Sequence, residues 1–281
     1  MPNLFNQDYL AHLCGKYNLQ PSKHYGQNFL INFEPVEKMI DISDLSADDS
    51  VVEIGPGFGG LTFVLAAKTK KVLAFEIEKK ISAYWEEQIK KYPNIEIVWG
   101  NILKQNINLK LEAGNYKVVA NLPYQITSSV IRFFLEAENP PEIMVLMVQK
   151  EVADRICAEA GDMSLLSVAV QYYAKAEIVA QVSRLNFWPA PKVDSAIIKL
   201  SVNNHQSVKN SEEFFRIVKI GFANRRKMLI KNLESIVGKK NRSNLEKIFI
   251  KLDLNQKIRA QELSVEKWKQ LTDLLKPIIT I

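Results

Sequence analysis

From Ser50 onward, short β-rich runs alternate with stretches of helical periodicity, and this alternation constrains the fold more than any other feature. The five runs are VVEI (51–54), VLAFEI (72–77), IEIVW (95–99), YKVVA (116–120) and IMVLMVQ (143–149). The stretches between them include LTFVLAAK, KKISAYWEEQIKK and SSVIRFFLEAE. Strand and helix repeated in this order predict an α/β fold with a parallel sheet covered by helices on both faces.

Beyond this pattern the chain is expected to form a second, smaller domain. Two later runs, AEIVAQV and SAIIKLSV, would close the sheet as a hairpin-like edge, and the polar stretch NNHQSVKN (203–210) then ends the strand pattern. Residues 211–275 keep apolar side chains at helical spacing, as in a small bundle. The sequence therefore predicts a catalytic domain over residues 1–202 and an all-α domain over residues 203–281.

Charge and composition limit the possible partners. Residues 205–281 hold 17 Lys and Arg against 8 Asp and Glu, whereas residues 1–204 hold 20 against 23. This asymmetry is typical of a C-terminal part that binds a polyanion, but a solvated helix surface rich in Lys gives a similar count of charges. No apolar run reaches the roughly 20 residues of a membrane span, and the N-terminus resembles no signal peptide, so a cytoplasmic location is expected.

The three histidines offer neither a metal site nor a charge relay. His12, His24 and His205 are scattered along the chain without the spacing of metal ligands. No carboxylate or nucleophile pattern accompanies them. The sequence therefore predicts a site without a metal ion and without histidine-based catalysis.

The glycine-rich segment EIGPGFGG (53–60) follows the first strand and opens a helix. Gly55 and Gly57 would let the backbone turn tightly and approach a ligand, and Glu76 ends the next strand, where it can bind ribose hydroxyls. These features indicate an adenosine-containing cofactor, and the spacing also fits a dinucleotide. Glu53 favours a cationic cofactor such as S-adenosylmethionine, because an acid at this position would repel a pyrophosphate.

The tetrapeptide NLPY follows the fourth strand, at the edge of the sheet where open α/β folds bind ligands. Its residues suit methylation of a nucleobase amine, a poor nucleophile that needs an acceptor for each N–H. Asn121 Oδ1 and the carbonyl of Leu122 would be the acceptors, Pro123 would fix the turn, and Tyr124 would stack on a flipped base. In the structural alternative, Asn121 caps a helix and Tyr124 packs in the core.

Eight motifs in this order resemble the ribosomal RNA small-subunit adenine dimethyltransferases of the KsgA type. They are YGQNFL (25–30), EIGPGFGGLT (53–62), FEIE (75–78), NLPY (121–124), VQKEVADRI (148–156), FWPAPKVDSAII (187–198), FANRRKMLIKNL (222–233) and RAQELS (259–264). The resemblance implies a Rossmann-like seven-stranded methyltransferase sheet with a helical C-terminal domain. It also implies an enzyme of small-subunit biogenesis that uses S-adenosylmethionine to make N6,N6-dimethyladenosine at two adjacent bases near the 3′ end of small-subunit (16S) rRNA. The expected partner is the assembling 30S subunit, and a monomer is expected.

The same resemblance assigns expected roles to single residues. Asn28 and Leu30 would line the cofactor pocket from the N-terminal arm, Gly55 would lie under the methionine part, and Glu76 would hold the ribose. Asn121 would serve both the edge of the cofactor and the target amine. These five positions, with Gly57 and Asn101, form the expected cofactor site.

Some expected site residues carry an open alternative. Phe187 resembles the second aromatic wall of the target pocket, but it can equally anchor its loop in the core. Asn101 stands where the family usually has Asp, a loss of charge assistance that costs about 1 kcal/mol. Arg225, Arg226 and Lys227 form the densest basic cluster and are the expected RNA-binding residues, with Arg226 and Lys227 favoured for phosphate contact. Arg225 falls on the apolar stripe of its segment, so either the helix breaks near it or it has a structural role.

Three other functions compete with small-subunit rRNA methylation. Related macrolide-resistance methyltransferases modify large-subunit rRNA with the same chemistry. A nicotinamide-dependent dehydrogenase would use a similar glycine loop, although the sequence offers no acid suited to hydride transfer. A non-catalytic RNA-binding assembly factor could keep the fold without the reaction.

Overall fold

The structure is a computed structural model that describes residues 3–22, 26–105, 116–203 and 211–279. The chain forms two compact units, Met1–Ala153 with Ala174–Asn203 and Asp154–Tyr173 with Asn204–Ile281. Residues 154–173 were expected in the first domain, but in the structure they group with the second unit. Apart from Asn203, the polar stretch that was expected to separate the domains lies outside the described residues.

A seven-stranded sheet forms the centre of the first unit, with strand order β4-β3-β2-β5-β6-β9-β7. Its strands are β2 (Ser50–Ile54), β3 (Lys71–Glu76), β4 (Ile95–Trp99), β5 (Tyr116–Asn121), β6 (Ile143–Gln149), β7 (Ala174–Val182) and β9 (Ser195–Val202). Five neighbouring strands, β4, β3, β2, β5 and β6, are parallel, and β9 pairs antiparallel with both β6 and β7. The predicted α/β fold with an antiparallel edge is therefore confirmed.

The central strands are apolar on both faces because helices cover the sheet on each side. Val51 and Val52 in β2, and Val118 and Val119 in β5, are fully buried although successive side chains point to opposite faces. β-Branched residues suit such strands, since their side chains pack well on a pleated surface. This continuous apolar pattern made the strands recognisable in the sequence.

Helices and one small two-stranded sheet complete the first unit. The helices are α1 (Gln7–Lys16), α2 (Glu34–Asp41), α3 (Thr62–Ala66), α4 (Ser82–Gln88) and α5 (Thr127–Leu135), and α6 (Lys150–Ile156) begins in this unit. The small sheet pairs β1 (Phe29–Leu30) with β8 (Phe187–Trp188), so that Leu30 lies opposite Phe187. This pairing joins the N-terminal arm to the FWPAP segment, and the sequence analysis did not predict it.

The second unit is helical in its described residues. Its main helices are α7 (Leu165–Tyr173), α8 (Ser211–Gly221), α9 (Leu229–Val237), α10 (Arg242–Lys251) and α11 (Val265–Leu275). The rings of Tyr172 and Phe214 lie 4.4 Å apart, which ties α7 to α8 and explains why residues 154–173 belong here. None of the helices in the described ranges has the length and apolar character needed to cross a bilayer.

A turn between α8 and α9 replaces the continuous helix that was one possibility for this segment. A Cβ atom at Gly221 would overlap the Trp268 ring, so only glycine allows this close approach. The buried Asn232 amide then donates to the carbonyls of Gly221 (2.6 Å) and Asn224 (3.1 Å), which satisfies the end of α8. Arg225 is exposed in this turn, so its expected structural role on a packed face is wrong.

Candidate active site

A cavity of about 190 Å³ lies in the first unit at the carboxyl ends of β2, β3, β4 and β5. One water needs only roughly 10–15 Å³, so the cavity can admit a larger ligand. All the residues predicted for the cofactor and the target base line it: Asn28, Leu30, Gly55, Gly57, Glu76, Asn101, Asn121, Leu122, Pro123, Tyr124 and Phe187. The structure thus brings together residues from six separate segments of the chain.

The glycine turn after β2 forms one wall of the cavity. Gly55 and Gly57 have φ angles of 73° and 55°, values that side chains other than glycine rarely adopt. The amide N–H of Gly57 donates to Glu76 Oε2 at 3.1 Å, and its carbonyl accepts from Trp85 Nε1 at 2.9 Å. These bonds hold the turn against the end of β3 and the side of α4, so its backbone has a fixed position beside the cavity.

The buried carboxyl groups of Glu53 and Glu76 line the same cavity. Burial raises the pKa of Glu53 to about 8, an effect that the Thr62 hydroxyl opposes and the Glu76 charge reinforces. Burial also raises the pKa of Glu76, although the N–H groups of Glu78 and Gly57 oppose the shift. Within the described chain, Glu53 Oε2 is buried without a hydrogen-bond partner. A bound cation would favour the ionised forms of both groups, so the site fits a ligand that brings a cation and hydroxyl donors, as S-adenosylmethionine does.

The NLPY segment begins at the last residue of β5 and leads into the connection to α5. Asn121 ends β5, and the Leu122 N–H donates to the Met147 carbonyl at 3.1 Å, which fixes the segment to β6. Pro123 has a φ of −57° and precedes a short 3₁₀ turn that Tyr124 opens. The alternative in which Asn121 caps a helix is wrong, because the described cap positions here belong to Pro123 and Ile126.

Asn101 and Phe187 occupy the cavity wall in different ways. Asn101 Oδ1 accepts the Leu103 N–H at 2.9 Å, so the side chain stabilises a local turn after β4. Phe187 is only 3% exposed and pairs with Leu30 across the small sheet, yet it lines the cavity. Both readings of Phe187, a pocket wall and a core anchor, are therefore compatible with its position.

Sequence reasoning missed several apolar residues of the cavity. Phe29 lines it and lies 5.4 Å from the Phe58 ring, between the predicted Asn28 and Leu30. Its position inside the YGQNFL motif could have identified Phe29 as a cavity residue. Ile77 also lines the cavity and remains 46% exposed just beyond β3. A single apolar residue after a strand has no pattern of its own, so the sequence offered no signal for it.

Residues 18–276 match the sequence model of a protein family described as ribosomal RNA adenine dimethylase. The chain belongs to this family. It is 37% identical over 274 residues to ribosomal RNA small subunit methyltransferase A of Geobacillus kaustophilus (strain HTA426), with 94% of each chain covered. It is 40% identical over 258 residues to the protein of the same name from Dehalococcoides mccartyi, with 91% of this chain and 88% of the relative covered.

Two solved structures of similar proteins have the same overall fold. A dimethyladenosine transferase from Plasmodium falciparum is 27% identical, with a TM-score of 0.77 and coverage of 90% of this chain and 99% of that one. The 23S rRNA methyltransferase ErmE is also 27% identical, with a TM-score of 0.73 and coverage of 89% and 100%. These values show that the dimethylase fold extends over nearly the whole chain.

Membership of the dimethylase family confirms the predicted enzyme class, an rRNA adenine dimethyltransferase, and its predicted cofactor, S-adenosylmethionine. It also rules out the dehydrogenase reading of the glycine loop. His24 and His205 lie outside the described residues, and the described residues contain no cluster of potential metal ligands.

The residues predicted to bind RNA lie in the second unit. Arg225, Arg226 and Lys227 are all exposed in the turn between α8 and α9. The Lys227 N–H donates to the Asn224 carbonyl at 3.0 Å, so the turn has a defined backbone shape. Three adjacent exposed cations can contact phosphates along a nucleic-acid backbone.

Proposed function

We propose that this protein dimethylates N6 of two adjacent adenosines near the 3′ end of small-subunit (16S) rRNA. The observation that carries this proposal is one cavity that is lined by the glycine turn, by Glu53 and Glu76 and by the NLPY segment. The relatives named ribosomal RNA small subunit methyltransferase A, at 37–40% identity, support small-subunit rRNA as the substrate.

The cofactor part of the site is formed by residues at the ends of β2, β3 and β4 and by the N-terminal arm. S-Adenosylmethionine supplies an electrophilic methyl group on a sulfonium when it is bound. Glu76 would accept hydrogen bonds from ribose hydroxyls, and the Gly55 and Gly57 backbone would lie against the methionine part. Asn28, Leu30 and Asn101 would complete this pocket, all of them lining the same cavity.

The target part of the site is formed by NLPY and Phe187. Asn121 Oδ1 and the Leu122 carbonyl would each accept one N–H of the adenine amine, which would aim the nitrogen lone pair into the cavity. Pro123 would keep these acceptors in place, and the rings of Tyr124 and Phe187 would hold the flipped base by stacking. The amine needs no strong base, because its proton can leave after the methyl group has been transferred.

The second unit would supply affinity for RNA. Arg226 and Lys227, with Arg225, which is also exposed, would contact phosphates and carry no base specificity. The assembling 30S subunit is the expected partner, and a monomer acting in the cytoplasm fits such a substrate. Methylation of large-subunit RNA, or assembly without catalysis, are the outcomes against which the proposal is tested.

The decisive experiment maps the methylated nucleotides. Purified protein is incubated with labelled S-adenosylmethionine and either small or large ribosomal subunits that lack the modification. We expect label on two adjacent adenosines near the 3′ end of small-subunit rRNA. Label on large-subunit RNA, or no label on either, contradicts the proposal.

A pair of asparagine variants tests the assigned acceptor. Asn121→Ala should abolish labelling, because one N–H of the amine loses its partner. Asn139→Ala removes an amide that does not line the cavity and should leave labelling unchanged. If the Asn121 variant methylates at the wild-type rate, the proposed role of the amide is wrong.

A further inference from the structure

A hydrogen bond connects the NLPY turn to the start of β9. The Tyr124 hydroxyl lies 2.9 Å from Ser195 Oγ, across 71 positions of sequence. Ser195 is fully buried as the first residue of β9, where it pairs with Gln149 and Val182. Its hydroxyl is therefore a rigid partner for the phenol of a ring that lines the cavity.

The preceding residue holds the segment that leads to Phe187. Asp194 Oδ1 accepts the backbone N–H of Arg184 at 2.9 Å, and the Asp194 carbonyl accepts the Lys150 N–H at 3.0 Å. Arg184 opens a short 3₁₀ turn that ends at Asn186, directly before Phe187. Asp194 thus links the start of β9 to the backbone that carries the second aromatic ring of the cavity.

We propose that Asp194 and Ser195 are positioning residues that hold the two aromatic walls of the target-base pocket. The inference deepens the proposed function and rests on it, because it assumes that Tyr124 and Phe187 enclose the flipped adenine. Asp194, directly before β9, and Ser195, its first residue, would fix the separation of the rings. Ser195 bonds the phenol of Tyr124, and Asp194 bonds the turn before Phe187.

The physical reason is the tight geometry that methyl transfer requires. The ring torsion of a tyrosine has a broad minimum, so a hydrogen bond at the hydroxyl restricts the plane on which the base stacks. A misplacement of about 1 Å can lower the rate of an oriented reaction by roughly 100-fold. Loss of either anchor should therefore lower the rate of methyl transfer without weakening cofactor binding, because neither anchor is among the residues that line the cavity.

A double-mutant cycle tests the Ser195 contact. Ser195→Ala and Tyr124→Phe each remove one partner of the same hydrogen bond and keep the ring. We expect each to lower the single-turnover rate of methyl transfer about tenfold, and the double variant to show about the same tenfold loss rather than a hundredfold loss. The dissociation constant for S-adenosylmethionine, measured by calorimetry, should change less than twofold.

A second pair of variants tests Asp194. Asp194→Ala removes the acceptor for the Arg184 N–H and should lower the rate at least fivefold. Asp194→Asn keeps an oxygen at that position and should restore the rate to within about twofold of the wild type. Glu177→Ala, which removes an exposed carboxylate of β7 that does not line the cavity, serves as the control and should have no effect.

The outcomes separate this inference from the proposed function. Wild-type protein that fails to methylate small subunits overturns the proposed function itself. If the wild type methylates them, a full rate for Ser195→Ala, or losses that multiply in the double variant, overturn the positioning role of Ser195. A parallel loss of cofactor affinity in these variants also overturns it, because that result indicates a general structural role. Failure of Asp194→Asn to restore the rate overturns the role of Asp194.

Discussion

Replacing Glu53 with glutamine is expected to remove much of the pH dependence of stability in the cofactor-free protein. Burial raises the pKa of this carboxyl from 4.5 to about 8. Between these pH values the unfolded chain loses a proton that the folded chain keeps, so the free energy of unfolding falls as pH rises. The wild-type protein therefore has its full stability at pH values below the pKa of Glu53 in the unfolded chain. It loses the Glu53 contribution as pH rises through the pKa of Glu53 in the folded chain.

The size of the effect follows from the shift in pKa. One unit corresponds to about 1.4 kcal/mol, so the full shift would cost up to about 5 kcal/mol above pH 8, with about 3 kcal/mol already present at pH 7. Glutamine has nearly the same shape and does not ionise. Glu53→Gln should therefore be about 3 kcal/mol more stable than the wild type at pH 7. A residual slope should remain, because burial also raises the pKa of Glu76.

The assay is urea unfolding at several pH values between 5 and 9, followed by tryptophan fluorescence. Trp85, Trp99 and Trp188 lie in the first unit with Glu53, so the signal reports mainly on that unit. Glu86→Gln, at an exposed position of α4, is the matched control and should follow the wild-type curve. Parallel pH curves for the wild type and Glu53→Gln would refute the argument that Glu53 is protonated in the folded protein.

Three further substitutions test other parts of the first unit. Asn101→Asp should lower the dissociation constant for S-adenosylmethionine about fivefold by restoring charge assistance, and an unchanged constant in calorimetry would contradict this. Gly57→Ala should lower the free energy of unfolding by about 1–2 kcal/mol, because its φ is 55° and a Cβ would lie 3.0 Å from a phenylalanine ring. Gly15→Ala, with open space around the Cβ, is its control in urea unfolding, and equal losses would count against the strain. Lys117→Met should cost about 2 kcal/mol in the same assay, because it leaves the partly buried Asp49 carboxylate, now 2.9 Å from Lys117 Nζ, without this charged partner. An unchanged free energy of unfolding would show that the pair does not stabilise the fold.

Much of the site could be predicted from the sequence because its residues follow strands of one parallel sheet. Glu53 is the penultimate residue of β2, Glu76 and Asn121 end β3 and β5, and Asn101 follows β4. Parallel strands bring their carboxyl ends to one edge, so residues far apart in sequence could be expected to meet around one ligand. The structure places all four around the same cavity.

Other features could not be predicted because they depend on contacts between distant segments. The pairing of Leu30 with Phe187, and the contact of Tyr124 with Ser195, join residues that no local pattern connects. Arg225 is exposed because α8 ends at Gly221, where the Asn232 side chain from α9 donates to the Gly221 carbonyl. Apolar periodicity shows which face of a helix is buried, but it does not show at which residue the helix ends.

By itself the sequence determined the order of strands and helices, the glycine turn and the chemical types of the site residues, because apolar periodicity and backbone freedom are local properties. Only the tertiary structure decided that residues 154–173 join the second unit and that Glu53 is buried deeply enough to keep a proton near neutral pH. Both outcomes depend on which surfaces pack together and exclude water, and packing of that kind is set by the folded chain as a whole.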